Sequence, residues 1–129
     1  MKIVRAADIK YEGASHEDMQ DPGVEKKVLF DSSSELVGRL QMVNWARLKA
    51  NRSFRMHYHE DMDEIFIILS GGAEVISGGM REVVAAGDAV LIQSGEPHTM
   101  RSTGEEVEYI VLGISKCQGG RTVLIDEDN

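Results

Sequence analysis

A second cysteine is missing from the 129-residue chain, and so are a surplus of basic charge and any long apolar run. Each absence excludes something. Cys117, alone, cannot close an internal disulfide, and no cysteine pair suggests a zinc knuckle or a thioredoxin-like site. A reducing, cytoplasmic setting is expected. Acidic side chains outnumber basic ones 22 to 14, giving a formal net charge of -8, so the long-range field repels phosphate backbones and anionic lipid. Nucleic acid is not an expected partner. Nowhere do about 18 apolar residues run together, and the first residues hold no apolar stretch of signal-peptide length, so neither a membrane span nor an export signal is expected.

Helical periodicity is also scarce. Short segments rich in Val, Ile, Leu and aromatics recur instead between Gly, Asp, Asn and Ser, the rhythm of an all-β domain. The length fits a single domain, and 42% hydrophobic residues can fill its core without staples. Strands are predicted over 26–30, 36–48, 53–59, 64–70, 73–77, 89–93, 98–102, 107–114 and 121–125. Gly78 and Gly79 predict a tight hairpin between 75–77 and 80–84. Residues 1–25, polar and acidic from Ala6 to Gly23 and carrying Pro22, read as an N-terminal arm or irregular covering segment. Residues 26–125 would form the folded body, with a loop at 117–120, and 126–129 a solvated acidic tail.

Three of the four histidines, His57, His59 and His98, fall in two short segments that both read as β. Residues two apart on a strand project to one face, so His57 and His59 share a side while Tyr58 points away. Glu64 follows after four residues and would sit across a hairpin from them. Imidazoles plus a carboxylate, without thiolates, suit first-row divalent metals and argue against an iron–sulfur or Cys-type zinc site. Manganese, iron, nickel, copper and zinc all stay open.

These residues resemble the cupins, small β-barrel proteins with two glycine-bounded motifs. The first, G-x5-H-x-H-x(3,4)-E-x6-G, is matched by His57, His59, Glu64 and Gly71, with Asn51 in place of the opening glycine. Asn is the non-glycine residue best able to take a left-handed turn conformation. The second, G-x5-P-x-G-x2-H-x3-N, is matched by Gly87, Gly95 and His98, with Gln93 for Pro and Ser102 for Asn. The resemblance covers about half the chain. It implies a double-stranded β-helix, or jelly-roll barrel, with His57, His59, Glu64 and His98 converging on one metal that keeps open positions for water, substrate or dioxygen.

Around that metal, an extended 53–59 would turn Arg55 to the same face as the histidines, where its guanidinium could hold an anionic ligand. Phe66 and Ile68 should point with Glu64, and Met100 with His98. Tyr109 shares a face with Val107 and Val111; if inward, its hydroxyl is a candidate hydrogen-bond donor beside the metal. Asp61 and Asp63 read as solvated turn charges. Phe54, Met56, Tyr58, Ile65, Ile67 and Leu69 should face away from the ligands. Full burial of each large apolar group gains about 1.5–3 kcal/mol, so a cover is expected there, and a second copy of the chain, giving a homodimer, is the expected one. Known cupin chemistries imply a metal-dependent enzyme, dioxygenase-like or decarboxylase-like, on a small polar or anionic molecule. A non-catalytic small-molecule or sugar-binding module and a sugar-phosphate isomerase or epimerase are the alternatives.

Overall fold

The computed structural model of the chain describes residues 4–31, 39–115 and 121–126. Eleven strands form among these residues: β1 (Glu12–Gly13), β2 (Val24–Asp31), β3 (Leu40–Leu48), β4 (His57–His59), β5 (Met62–Ser70), β6 (Gly72–Ser77), β7 (Met80–Ala85), β8 (Ala89–Ile92), β9 (His98–Ser102), β10 (Val107–Ser115) and β11 (Thr122–Leu124). They make two antiparallel sheets, ordered β1-β2-β3-β10-β5-β8 and β11-β4-β9-β6-β7. One 3-10 turn, Ala6–Asp8, precedes them. No helix among the described residues is long and apolar enough to cross a membrane.

Alternation builds the core. Along β10, Val107, Tyr109, Val111, Gly113 and Ser115 are buried while the residues between them are half-buried, and Asn44, Ala46 and Leu48 of β3 follow the same rule. The inward sets of both sheets meet in one cluster that includes Leu48, Phe54, Phe66, Ile68, Met100 and Val107. The outward set of the larger sheet also carries apolar rows. By register, Trp45, Ile110 and Ile67 form one row and Val43, Leu112, Ile65 and Leu91 the next.

The turns behave as their residues dictate. Asn51 takes φ 60, the left-handed conformation expected of it in a glycine's place. Gly78 and Gly79, both at positive φ, close the two-residue hairpin between β6 and β7, with Ser77 opposite Met80.

Several expectations are corrected. The two facing antiparallel sheets bear out the expected all-β jelly roll, but among the described residues their hydrogen-bonded ladders do not close into a barrel. The strand expected over 53–59 survives only as β4. Upstream, the Arg55 N–H is held by the Glu17 carboxylate and the Arg55 carbonyl by His57 Nδ1, which diverts the backbone and slips the alternation by one. Phe54 therefore turns inward, and Arg55 is exposed, not aligned with the histidines. Nor do β4 and β5 form a hairpin: the chain crosses from one sheet to the other between them, so Glu64 faces the histidines from the opposite layer. Asp61 accepts from Ser115 Oγ at 3.0 Å and Asp63 from the Ser94 N–H at 2.8 Å, where solvated charges were expected.

The N-terminal segment is built into the fold. Strand β1 pairs with β2, Tyr11 lies under the Arg47 guanidinium at 3.7 Å, and Ala14 is buried. The start of the strand predicted at 36, the loop holding Cys117, and tail residues 127–129 lie outside the described residues.

Candidate metal centre

His57 and His98 face each other directly in register across β4 and β9, and His59 sits one step of alternation away on β4. Glu64 reaches them from β5. One ligand atom from each of the four residues lies within 4.8 Å of all the others. All four are buried, at 2%, 7%, 5% and 1% exposure for His57, His59, Glu64 and His98.

Outer partners set which nitrogen of each ring looks inward. His57 Nδ1 is 2.6 Å from the Arg55 carbonyl and His98 Nδ1 is 2.9 Å from the Glu96 carbonyl. A carbonyl only accepts, so both Nδ1 atoms carry the proton and both Nε2 atoms present lone pairs. His59 Nδ1 lies 3.1 Å from Thr122 Oγ1. The inward Nε2 atoms of His59 and His98 stand 2.9 Å and 3.1 Å from the same Glu64 oxygen. Neutral rings with their lone pairs turned on a carboxylate away from water repel it, so the arrangement calls for positive charge among these atoms, a proton on Nε2 or a metal ion. Three neutral imidazoles and one carboxylate are a fitting donor set for a divalent first-row metal.

The charge states agree. Burial, and then the neighbouring His16, pushes His57 down to about 3, which keeps its lone pair available at neutral pH. Burial alone would lift the Glu64 carboxyl, but with no metal bound His59 and His98 can turn Nε2 protons toward it, and those hydrogen bonds and charges outweigh burial and hold the group well below the usual carboxylate range.

Beside His57, His59 and Glu64 lies a cavity of about 70 Å³, roughly five water positions. Its walls are apolar at Phe54, Phe66 and Val111 and polar at His16, Lys26, Asn44 and Tyr109. Tyr109 does face inward, 3% exposed; burial first, then the charges of Glu64 and Glu17, raise its phenol, so it stays a hydroxyl. Asn44 is equally buried, and its Oδ1 has no donor among the described residues. Leaving such an oxygen unbonded costs about 1–3 kcal/mol.

Sequence reasoning missed His16, Glu17, Lys26 and Asn44. The His16 ring stacks on His57 with centroids 4.2 Å apart, carried there by a segment without periodicity. Glu17 anchors that segment, accepting the Gly23 and Arg55 N–H groups at 3.0 Å each. Asn44 had a signal: it occupies the inward parity of a strand that otherwise buries Ala46 and Leu48 there.

Two facing antiparallel sheets around an inward three-histidine, one-carboxylate set define a class, the β-sandwich proteins able to hold a metal beside a small cavity. The cupin domain family matches residues 44–114, more than half of the chain and inclusive of all four ligand-competent residues, and the chain belongs to that family. It is similar to the oxalate-binding protein of Thermotoga maritima, 27% identical over 111 residues that cover 85% of this chain and 91% of that protein. Among solved structures, it resembles a predicted oxalate decarboxylase of Thermotoga maritima (TM-score 0.77, 27% identity, 88% of this chain and 99% of that one). It also resembles the polyketide cyclase RemF of Streptomyces resistomycificus (TM-score 0.77, 25% identity, 99% of this chain and 89% of that one).

Proposed function

We propose that the chain is a metal-dependent cupin enzyme acting on a small carboxylic acid, decarboxylase-like in preference to dioxygenase-like. The observation that carries this reading is the buried set of His57, His59, Glu64 and His98 beside a cavity of only a few water positions. The names of two similar proteins, an oxalate binder and a predicted oxalate decarboxylase, support a short carboxylate as the substrate.

His57, His59, Glu64 and His98 would hold the ion, which in this position supplies Lewis-acid polarisation of a substrate oxygen. The carbonyls of Arg55 and Glu96 keep two of the rings in the ligating tautomer. Phe54, Phe66 and Val111 strip water from a bound carboxylate, which raises the energy of the anion relative to neutral carbon dioxide. Tyr109, protonated throughout the neutral range, donates a hydrogen bond to oxygen on the retained fragment. Arg55, exposed, takes no part.

A second reading, a binding protein without turnover, is favoured by the name of the oxalate-binding relative. One experiment separates the two. Protein purified without a histidine tag, loaded with each of manganese, iron, nickel, copper and zinc, is incubated with a panel of short acids while carbon dioxide release and oxygen uptake are followed. Carbon dioxide without oxygen uptake supports the decarboxylase; saturable binding without either gas supports the binder. His57→Ala should lose the metal in elemental analysis.

The rows of outward apolar side chains on the larger sheet support a homodimer, with Leu91 58% exposed and Ile67 36% exposed in the isolated chain. The single cysteine supports a reducing cytoplasm.

A further inference from the structure

The cavity has further polar lining besides its ligand-competent residues, and neither the metal nor the proposed reaction uses it. Strands β2 and β3 make this wall. Lys26 pairs in register with Ala46, and Asn44 stands two residues from Ala46 on the same buried face. Both residues line the cavity together with His57, His59 and Glu64.

The Asn44 amide is oriented by its neighbour. Nδ2 points at the Met42 sulfur at 3.4 Å, and a thioether can only accept, so the amide nitrogen belongs there and the carbonyl oxygen turns away from it. That oxygen is buried and has no donor among the described residues. Lys26 makes no ion pair or hydrogen bond through its ammonium with any described residue. Glu64, the carboxylate lining the cavity, is engaged with the histidines, and Glu17, next to the lining residue His16, with Gly23, Arg55 and His16. The wall thus offers one acceptor lacking a donor and one cation lacking an anion.

We propose that Asn44 and Lys26 form a second binding subsite that selects hydroxy-substituted small carboxylates: Asn44 Oδ1 accepts the ligand's hydroxyl, and the Lys26 ammonium draws its negative charge. This rests on the reading of the site as one for a short carboxylate, and it narrows that class. The cavity is small enough for one molecule of a few heavy atoms to span from the histidines to this wall.

Glycolate and acetate differ by one hydroxyl and serve as probes. Calorimetric titration of the zinc-loaded protein gives an affinity ratio for the pair, measured in the natural chain and in Asn44→Leu. Any chelating advantage of glycolate on the zinc is common to both proteins and cancels in the comparison. The ratio should fall about tenfold in Asn44→Leu, and Lys26→Met should weaken both acids by a similar factor. An unchanged ratio in folded Asn44→Leu overturns the assignment, as does undiminished binding of both acids by Lys26→Met. If Asn44→Leu does not fold, the side-chain amide resonances of Asn44 in the natural chain decide: they should move with glycolate and not with acetate, and no movement overturns the proposal. If the chain takes up no zinc, the metal reading has failed by itself, and the same ratio measured on the metal-free protein still decides the role of this wall.

Discussion

Glu17→Gln should loosen the N-terminal segment and, through it, one of the histidines. The carboxylate accepts from the Gly23 N–H with one oxygen and from the Arg55 N–H with the other, which also lies 3.0 Å from His16 Nδ1. A carboxamide can accept at only one of those places. At the other it turns an N–H toward a backbone N–H, so one buried donor loses its partner whichever way the amide is set. Loss of a hydrogen bond to a charged group costs about 2 kcal/mol, and in a chain of this length that lowers the melting temperature by roughly 8 °C. When the Arg55 N–H is the donor released, the effect travels further, because the Arg55 carbonyl holds His57 Nδ1 at 2.6 Å. Loss of such outer support weakens metal affinity by about 10- to 100-fold. Scanning calorimetry of metal-free and metal-loaded protein, with chelator competition for the affinity, reads both quantities. An unchanged melting temperature would refute the anchoring role. A lower melting temperature with natural metal affinity would refute the link from Glu17 to His57.

Acid should destabilise the metal-free protein in two overlapping windows. His57 is neutral when folded, down to about 3, so the unfolded chain takes up its proton first and stability falls from about pH 6.5 downward. Glu17 and Glu64 are both held below the usual carboxylate value, so their contribution is present above about pH 4.5 and is lost as the pH drops beneath it. Urea unfolding across this range should show a continuous decline; a flat profile between about pH 7 and 5 would contradict a buried neutral His57. Gly71→Ala should cost about 2 kcal/mol or more, since the residue sits at φ +81 and a Cβ there would collide with the Glu106 carbonyl oxygen; a natural melting temperature would count against it. Ile67→Lys together with Leu91→Lys should yield a monomer in sedimentation equilibrium with unchanged metal content, whereas a natural chain sedimenting at 14.3 kDa through the micromolar range would remove the homodimer.

The metal-capable cluster was legible because its spacing is local and its chemistry unusual. Two imidazoles one alternation apart, a carboxylate a few residues on and a third imidazole in another short strand leave few other uses for those side chains. Alternation also placed Phe66, Ile68 and Met100 on the correct face, while it left open which face of β10, and so Tyr109, looks inward. It failed at residues 53–56, where hydrogen bonds from a distant segment redirect the backbone, because a period-two pattern carries no information about partners far along the chain. Arg55 and Phe54 were exchanged by that single slip. His16 and Glu17 were invisible for the same reason: their positions depend on the tertiary anchoring of a segment with no pattern of its own. Whether facing sheets close into a barrel depends on hydrogen bonding at their edges, which side-chain identity records poorly.

Of the four ligand-competent side chains, three stand on one sheet and the fourth on the other. A cation gripped by all of them would rivet the two layers at a point where, among the described residues, no strand ladder joins them. Occupancy then becomes a component of durability: an ion at 100 times its dissociation constant adds about 2.7 kcal/mol to the folded state. Scarcity of metal in the cell would shorten the lifetime of the chain as well as silence it, so abundance of the protein would follow supply of its ion.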